Sequence, residues 1–212
     1  MPQRLFVSVA LRNLPGLACG VLLAACSPAP CPEPTTTPTT TGGERPDLFA
    51  ELASAPTLTV EVDATNGVLD ERHVFAGFGC SGGNHSPAIR WSGLPEGTQS
   101  VLVEIHDPDA PTGVGFFHWL VADLAPSTTE LPYDAAASGM PEGSVQTRTD
   151  FGTTTYGGPC PPPGTPHRYV VTVYALDVPS LGVDASTSPA VVRFSVRGHT
   201  LAYGRATATY GR

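Results

Sequence analysis

The fold is decided by one stretch of sequence, Gly157-Gly-Pro-Cys-Pro-Pro-Pro-Gly-Thr-Pro-His-Arg-Tyr169, and by the segment that continues it, Val170-Val-Thr-Val-Tyr-Ala-Leu176. The first segment is dominated by glycine and proline, which break helices and central strands, so it predicts a rigid loop. The second is rich in β-branched and aromatic residues, which predicts a strand. The loop therefore delivers His167, Arg168 and Tyr169 together at the start of a strand.

Outward from this strand, most of the sequence has the pattern of short strands. Alternating or β-branched segments occur at residues 58–62, 100–105, 117–121 and 206–210, and turns rich in glycine and proline lie between them. One late helix is expected, with Ser188 as its cap, Pro189 in its first turn and its end between Gly198 and Gly204. This pattern predicts a mainly β fold, an antiparallel β-sandwich with one or two short helices near the C-terminus.

The N-terminal residues 1–25 are predicted to be a lipoprotein signal peptide. Arg4 and Arg12 precede an apolar run that is too short to span a bilayer and ends in Leu23-Ala-Ala-Cys26. That tetrapeptide resembles a bacterial lipobox, in which Cys26 is lipidated. The alternative is an ordinary secretory signal in which Cys26 is incidental. Several acyl chains on one residue would anchor the chain firmly in the cell envelope, at the periplasmic face or the outer membrane.

Residues 26–46 are rich in proline and threonine and contain little that could pack in a core. We expect them to form an extended tether that holds one domain, residues 47–212, away from the membrane. Only two cysteines, Cys80 and Cys160, lie in this domain. An oxidising compartment would permit a disulfide between them, but the sequence leaves open whether they meet.

Composition excludes several classes of function. The chain has no lysine, and beyond the predicted signal nine arginines face 19 acidic residues, a formal charge near −10. Such a surface disfavours nucleic acid binding, and the missing lysine excludes Schiff-base, P-loop and kinase chemistry.

Three short motifs match the signatures of other protein classes without their structural context. They are G-x-G-x-x-G at 77–82, G-x-S-x-G at 79–83 and D-F-G at 150–152. The first two require a helix directly afterwards, which the Pro87 region forbids, and the third requires a kinase lysine.

Three segments combine polar and rigid residues in an unusual way. They are Asp107-Pro-Asp-Ala-Pro111, Phe116-Phe-His-Trp119 and the loop that ends at His167-Arg-Tyr169. Taken singly, each has a structural explanation: a turn, a core histidine, and a packed ion pair. In this order, however, the three segments resemble the signatures of the phosphatidylethanolamine-binding protein family, also called Raf kinase inhibitor proteins, in its bacterial branch. The resemblance covers residues 58–212.

The resemblance implies a β-sandwich with a small surface cavity that binds phosphate-like and carboxylate anions, including the phosphoethanolamine head group, without a cofactor or metal. The residues that match the family's ligand-binding positions are Asp107, Asp109, His118, Gly158, Pro159, His167 and Tyr169. The order Phe-Phe-His-Trp departs from the eukaryotic pattern, so the aromatic wall is expected to differ.

The chemistry of these residues agrees with an anion site. Imidazoles and loop N–H groups can donate to an anion, while Asp107 or Asp109 can orient an imidazole or receive an ammonium group. We therefore expect a binding module rather than an enzyme, with a phosphate-containing ligand or lipid head group and, through the family resemblance, a protein partner such as a protease. Two alternatives stay open: a metal-assisted hydrolase that uses the same Asp/His cluster, and a purely structural envelope protein.

Overall fold

The structure, a computed structural model, describes residues 48–212. The predicted signal peptide, the lipidation site Cys26 and the proline-rich tether lie outside these residues. Within the described range, no helix is both long enough and apolar enough to cross a membrane.

Short strands make up most of the described chain. Eight are present there: β1 (Thr59–Val62), β2 (Ile89–Ser92), β3 (Ser100–Asp107), β4 (Phe116–Leu124), β5 (Glu130–Leu131), β6 (Val145–Gln146), β7 (His167–Leu176) and β8 (Thr200–Tyr210). Three short helices accompany them: α1 (Leu48–Glu51), α2 (Ala135–Ser138) and α3 (Pro189–Val196).

The strands form two antiparallel sheets, so the predicted sandwich is confirmed. The smaller sheet has the order β1-β2-β5 and the larger one the order β6-β4-β3-β7-β8. In the larger sheet β3 is central: Ile105 lies opposite Trp119 of β4 on one side and opposite Val171 of β7 on the other. This pairing brings the end of β3 next to the starts of β4 and β7.

The central strand β3 is buried on both faces because two cores lie against it. Val101, Val103 and Ile105 pack in the core between the two sheets. Leu102 packs on the opposite face, in a second core that includes Val192 and Val196 of α3. We call this second side, which carries α1 and α3, the outer face of the larger sheet. Strand alternation therefore assigns neighbouring residues to different environments.

The structure departs from the predicted elements at the C-terminus. Helix α3 begins at Pro189, as predicted, but it ends at Val196, and β8 starts at Thr200 rather than near Ala206. The reason is tertiary: β8 pairs with β7 along its whole length, and Ala202 lies in the inter-sheet core. The short strands β2, β5 and β6 were not predicted, because two to four residues give too little pattern to identify.

Candidate functional site

A cavity of about 150 Å³ opens where the end of β3 meets the starts of β4 and β7. A cavity of this size can hold a small organic molecule. The strands contribute Asp107, Phe116, His118, His167 and Tyr169 to its walls. The remaining walls come from three loops, through Phe78, Ala110, Pro111, Thr112, Phe151, Cys160, Pro161 and Pro162. The three sequence segments singled out above therefore meet in space.

Asp107 holds His167 in the cavity wall. One carboxylate oxygen, Oδ1, accepts hydrogen bonds from the backbone N–H groups of Asp109 and Ala110 at 2.8 and 3.0 Å. The other, Oδ2, lies 2.7 Å from Nδ1 of His167. The carboxylate is only 3% exposed, so these three contacts fix its position. Because Nδ1–H of His167 donates to Asp107, Nε2 remains for other partners.

His118 is buried and neutral. Its Nδ1 donates to the carbonyl oxygen of Gly157 at 2.6 Å. Burial lowers the pKa of His118 from 6.5 to about 4, so the ring is uncharged at pH 7. Rings of Phe151 and Tyr169 pack edge-on against it, with centroids 5.4 and 5.1 Å away. Nε2 of His118 therefore carries a lone pair at neutral pH and becomes a donor only after protonation.

Tyr169 carries an unsatisfied polar group at the cavity. The side chain is 2% exposed, and its buried hydroxyl has no hydrogen-bond partner among the described residues. Burial, reinforced by the charge of Asp107, raises the pKa of Tyr169 far above 10, so the hydroxyl stays protonated. Buried hydroxyls are normally paired, so this one stays unsatisfied unless a ligand or a water molecule reaches it.

Asp109, a predicted ligand-binding residue, does not line the cavity. Its carboxylate accepts hydrogen bonds from Nε and Nη2 of Arg168, at 2.9 and 2.6 Å, and from the Arg168 backbone N–H at 2.9 Å. The Arg168 side chain lowers the pKa of Asp109 to about 2. The two carboxylates of the Asp-Pro-Asp turn thus hold two adjacent residues of β7, His167 and Arg168.

Gly158 and Pro159 support the wall from behind rather than lining it. The Gly158 N–H donates to Oδ1 of Asn84 at 2.8 Å, and the Pro159 carbonyl accepts from the N–H of Phe75 at 3.0 Å. A Cβ atom on Gly158 would lie 2.0 Å from the carbonyl oxygen of His73, which explains the glycine. Since the Gly158 N–H is already used, a ligand would have to contact this loop through other groups.

Sequence reasoning missed the aromatic rim of the cavity. Phe78 and Phe151 stack nearly parallel with centroids 5.9 Å apart, and Phe116 meets Phe151 edge-on at 4.9 Å. Phe151 belongs to the D-F-G triplet, whose Asp150 accepts a 2.7 Å hydrogen bond from the N–H of Phe117. The available signal in the sequence was an aromatic residue within a glycine-rich loop. In the structure the Phe78 side chain is 71% exposed.

A disulfide joins the two loops that form this rim. Cys80 and Cys160 are bonded, with Cα atoms 6.0 Å apart, and they lie 80 positions apart in sequence. Arg212 adds a second link, because it donates to the carbonyl oxygens of Gly79 at 3.0 Å and Pro161 at 2.7 Å. The segment that carries Phe78 is therefore fixed beside the cavity.

A metal site would require the predicted Asp/His cluster to converge on one point. Within residues 48–212, no three His, Cys, Asp or Glu side chains lie close enough together to ligate a metal ion. Asp109 contacts Arg168, and the Oδ2 of Asp107 contacts His167, so the two carboxylates do not face each other.

Comparison with known proteins gives consistent matches to one family. A family model described as phosphatidylethanolamine-binding protein matches residues 62–211. The UPF0098 protein YbhB of Escherichia coli is 47% identical over 144 residues, which are 67% of this chain and 91% of YbhB. The UPF0098 protein YbcL of the same organism is 43% identical over 166 residues, 76% of this chain and 91% of YbcL.

A solved structure and one further relative also match this chain. A crystal structure of YbcL, described as a new member of the mammalian PEBP family, matches with a TM-score of 0.70 and 42% identity, over 74% of this chain and 98% of that one. A Mycobacterium tuberculosis protein named as lipoprotein LppC is 32% identical over 165 residues, 77% of each chain. From the motifs, the sandwich and these matches, we conclude that this chain belongs to the phosphatidylethanolamine-binding protein family.

Proposed function

We propose that this chain is an extracytoplasmic lipoprotein whose domain binds a small phosphate-type anion, such as a phosphate head group, in the cavity between β3, β4 and β7. The domain acts as a binding module rather than as an enzyme. The observation that carries the proposal is the cavity wall in which Asp107 holds Nδ1 of His167, so that Nε2 of His167 is left for a ligand. The family to which the chain belongs supports the same function.

The cavity offers complementary partners to a phosphate ester. Tyr169 donates its O–H, and His167 offers Nε2 because Asp107 holds Nδ1. His118 is neutral, so its Nε2 accepts the proton of a monoanionic phosphate or takes up a proton when the anion binds. Asp107 also lines the cavity, so an ammonium group attached to the phosphate meets a carboxylate there.

The location and partner of the domain are proposed on more general grounds. Similarity to a protein named as a lipoprotein supports lipidation at Cys26 and attachment to the cell envelope. In that location, the bound state of the cavity would regulate a neighbouring protein, with a protease as the class that the family resemblance suggests. The exposed Phe78 at the rim supplies an apolar contact for such a partner.

Calorimetric titration of O-phosphorylethanolamine into a fragment of residues 47–212 tests the proposal. We expect this fragment to fold alone, because the matching domain covers 98% of the chain in the YbcL crystal structure. Wild type should bind one equivalent in the cavity. His118→Ala should abolish that binding, and Tyr169→Phe should weaken it about tenfold, the effect of one lost hydrogen bond to a charged group.

Tyr133→Phe is the matched control, since this tyrosine is partly exposed and does not line the cavity. Its affinity should equal that of wild type, and thermal unfolding of every variant should show a folded domain. Absence of saturable binding by wild type, or equal binding by a folded His118→Ala variant, would contradict the proposal. A metal-content assay on the same samples addresses the hydrolase alternative, which predicts a stoichiometric metal ion.

A further inference from the structure

A groove of about 250 Å³ lies on the outer face of the larger sheet, and the cavity function does not use it. We call it the arginine groove and define it by Arg168, Arg193, Arg205 and Phe49, which line it. Beyond the predicted signal the chain has only nine arginines, against 19 acidic residues. Three of the nine line this one groove; Asp109 offsets the charge of Arg168 and Glu104 that of Arg193, so the excess positive charge comes from Arg205.

Arg193 contributes a fixed charge at the floor of the groove. Its guanidinium donates to both carboxylate oxygens of Glu104, at 2.8 and 3.2 Å, and Glu104 is fully buried. The same guanidinium lies 4.4 Å from the ring centroid of Phe117. His106 also lines the groove, and its pKa is lowered by burial and by the positive charge of Arg193. The negative charge of Glu104 acts on His106 in the opposite direction, so Arg193 adds a fixed guanidinium to the groove but little net charge.

Arg205 has no carboxylate partner among the described side chains. Among the described residues it makes no ion pair, and its guanidinium lies 4.3 Å from the ring centroid of Phe49. The guanidinium of Arg193 lies 5.9 Å from the same centroid. Two guanidiniums thus lie near one ring; Glu104 offsets the charge of Arg193, whereas the charge of Arg205 can attract a bound anion.

Arg168 closes the third side of the groove. Its Nε and Nη2 are held by Asp109, the carboxylate that does not line the cavity. Asp109 is therefore a positioning residue for the groove, in the way that Asp107 is one for the cavity. The remaining N–H groups of the Arg168 guanidinium are left for a ligand, because the fork of an arginine carries five donors.

We propose that the arginine groove is a second anion site, which binds a phosphate group with Arg205 as its principal ligand and with Arg168 and Arg193 beside it. Guanidinium groups recognise phosphate by paired, charge-assisted hydrogen bonds, and a phosphate carried on a free metabolite or on a lipid head group presents the same oxygens. The site is distinct from the cavity proposed above.

Equilibrium dialysis of labelled inorganic phosphate against the 47–212 fragment tests this site. Wild type should hold two phosphates per chain, Arg205→Gln one, and the double variant with His118→Ala none. Arg205→Gln should weaken binding at the groove at least tenfold, while Arg205→Lys, which keeps the charge but not the fork, should weaken it less. Arg148→Gln removes another exposed arginine, one that lines neither the cavity nor the groove, and should leave both sites intact.

The outcomes separate the two proposals. If the cavity binds no phosphate, wild type holds one equivalent and Arg205→Gln holds none, so the groove stands alone. If folded Arg205→Gln binds as much phosphate as wild type, the groove proposal is wrong. Flotation with phosphatidylglycerol vesicles then distinguishes the source: binding lost in Arg205→Gln assigns the groove to lipid phosphate, and phosphate binding without vesicle binding assigns it to a free phosphate compound.

Discussion

Asp107 and Asp109 belong to one turn and hold adjacent residues, yet they work in different environments. Asp107 is buried, and its carboxylate accepts two backbone N–H groups and faces His167. Asp109 pairs with Arg168, whose side chain is 58% exposed. Because neighbouring strand residues point to opposite faces, His167 reaches the cavity and Arg168 reaches the arginine groove. A single sequence motif therefore supplies two surfaces, and burial decides how much each pair contributes.

The largest effect is expected for Asp107→Ala. This change leaves two backbone N–H groups and Nδ1 of His167 without their acceptor inside the protein. A buried donor left without its acceptor costs about 1–3 kcal/mol, so with three such donors urea unfolding should show a loss of several kcal/mol. If the free energy of unfolding falls no more than it does in Asp109→Ala, burial does not explain how much each pair contributes to stability.

His118 predicts that the stability of the domain depends on pH. The folded ring has a pKa of about 4 and the unfolded ring about 6.5, so between these values the unfolded state binds the proton more readily. The free energy of unfolding should therefore fall by about 3 kcal/mol in total as pH drops from about 6.5 to about 4. Above that range His118 should not affect it. His118→Phe should lack this part of the slope in unfolding experiments at stepped pH, whereas His199→Phe should retain it.

Two buried tyrosines should respond in opposite directions to loss of the hydroxyl. Tyr169→Phe removes an unpaired hydroxyl and should raise the free energy of unfolding by about 1 kcal/mol. Tyr174→Phe, on the outer face, removes a 3.0 Å hydrogen bond to buried Glu104 and should lower it by about 1–2 kcal/mol. Chemical unfolding of both variants checks the pair, and a destabilised Tyr169→Phe would indicate a partner for that hydroxyl.

The smallest effect is expected for Asp109→Ala at neutral pH, because an exposed ion pair contributes little. The folded pKa of Asp109 is about 2, below the ordinary 3.8, so any stabilisation is present above about pH 4 and disappears as pH falls towards 2. Wild type and Asp109→Ala should therefore differ slightly in urea midpoint at pH 7 and hardly at all at pH 2. A difference that persists at pH 2 would rule out the ion pair as its source.

Local sequence was sufficient where proline, glycine and alternation constrain the backbone directly. The proline-rich loop before β7, the strand that follows it and the start of α3 at Pro189 were all predicted, because each depends on neighbours in sequence. The late start assigned to the last strand was wrong, since the pairing of Thr200 to Gly204 with β7 depends on a distant segment. The signal peptide, Cys26 and the tether stay predictions.

Part of the candidate site could be predicted from the sequence, and part of it depends on the tertiary structure. The sequence by itself determined which residue types would meet at the ends of β3, β4 and β7, because three rigid motifs carry them in a fixed order. Only the tertiary structure decided that Phe78 and Phe151 form the rim, that Cys80 lies against Cys160, and that Asp109 turns away from the cavity. Contacts between segments far apart in sequence, and the face that each strand residue occupies, depend on packing and register, which local patterns do not encode.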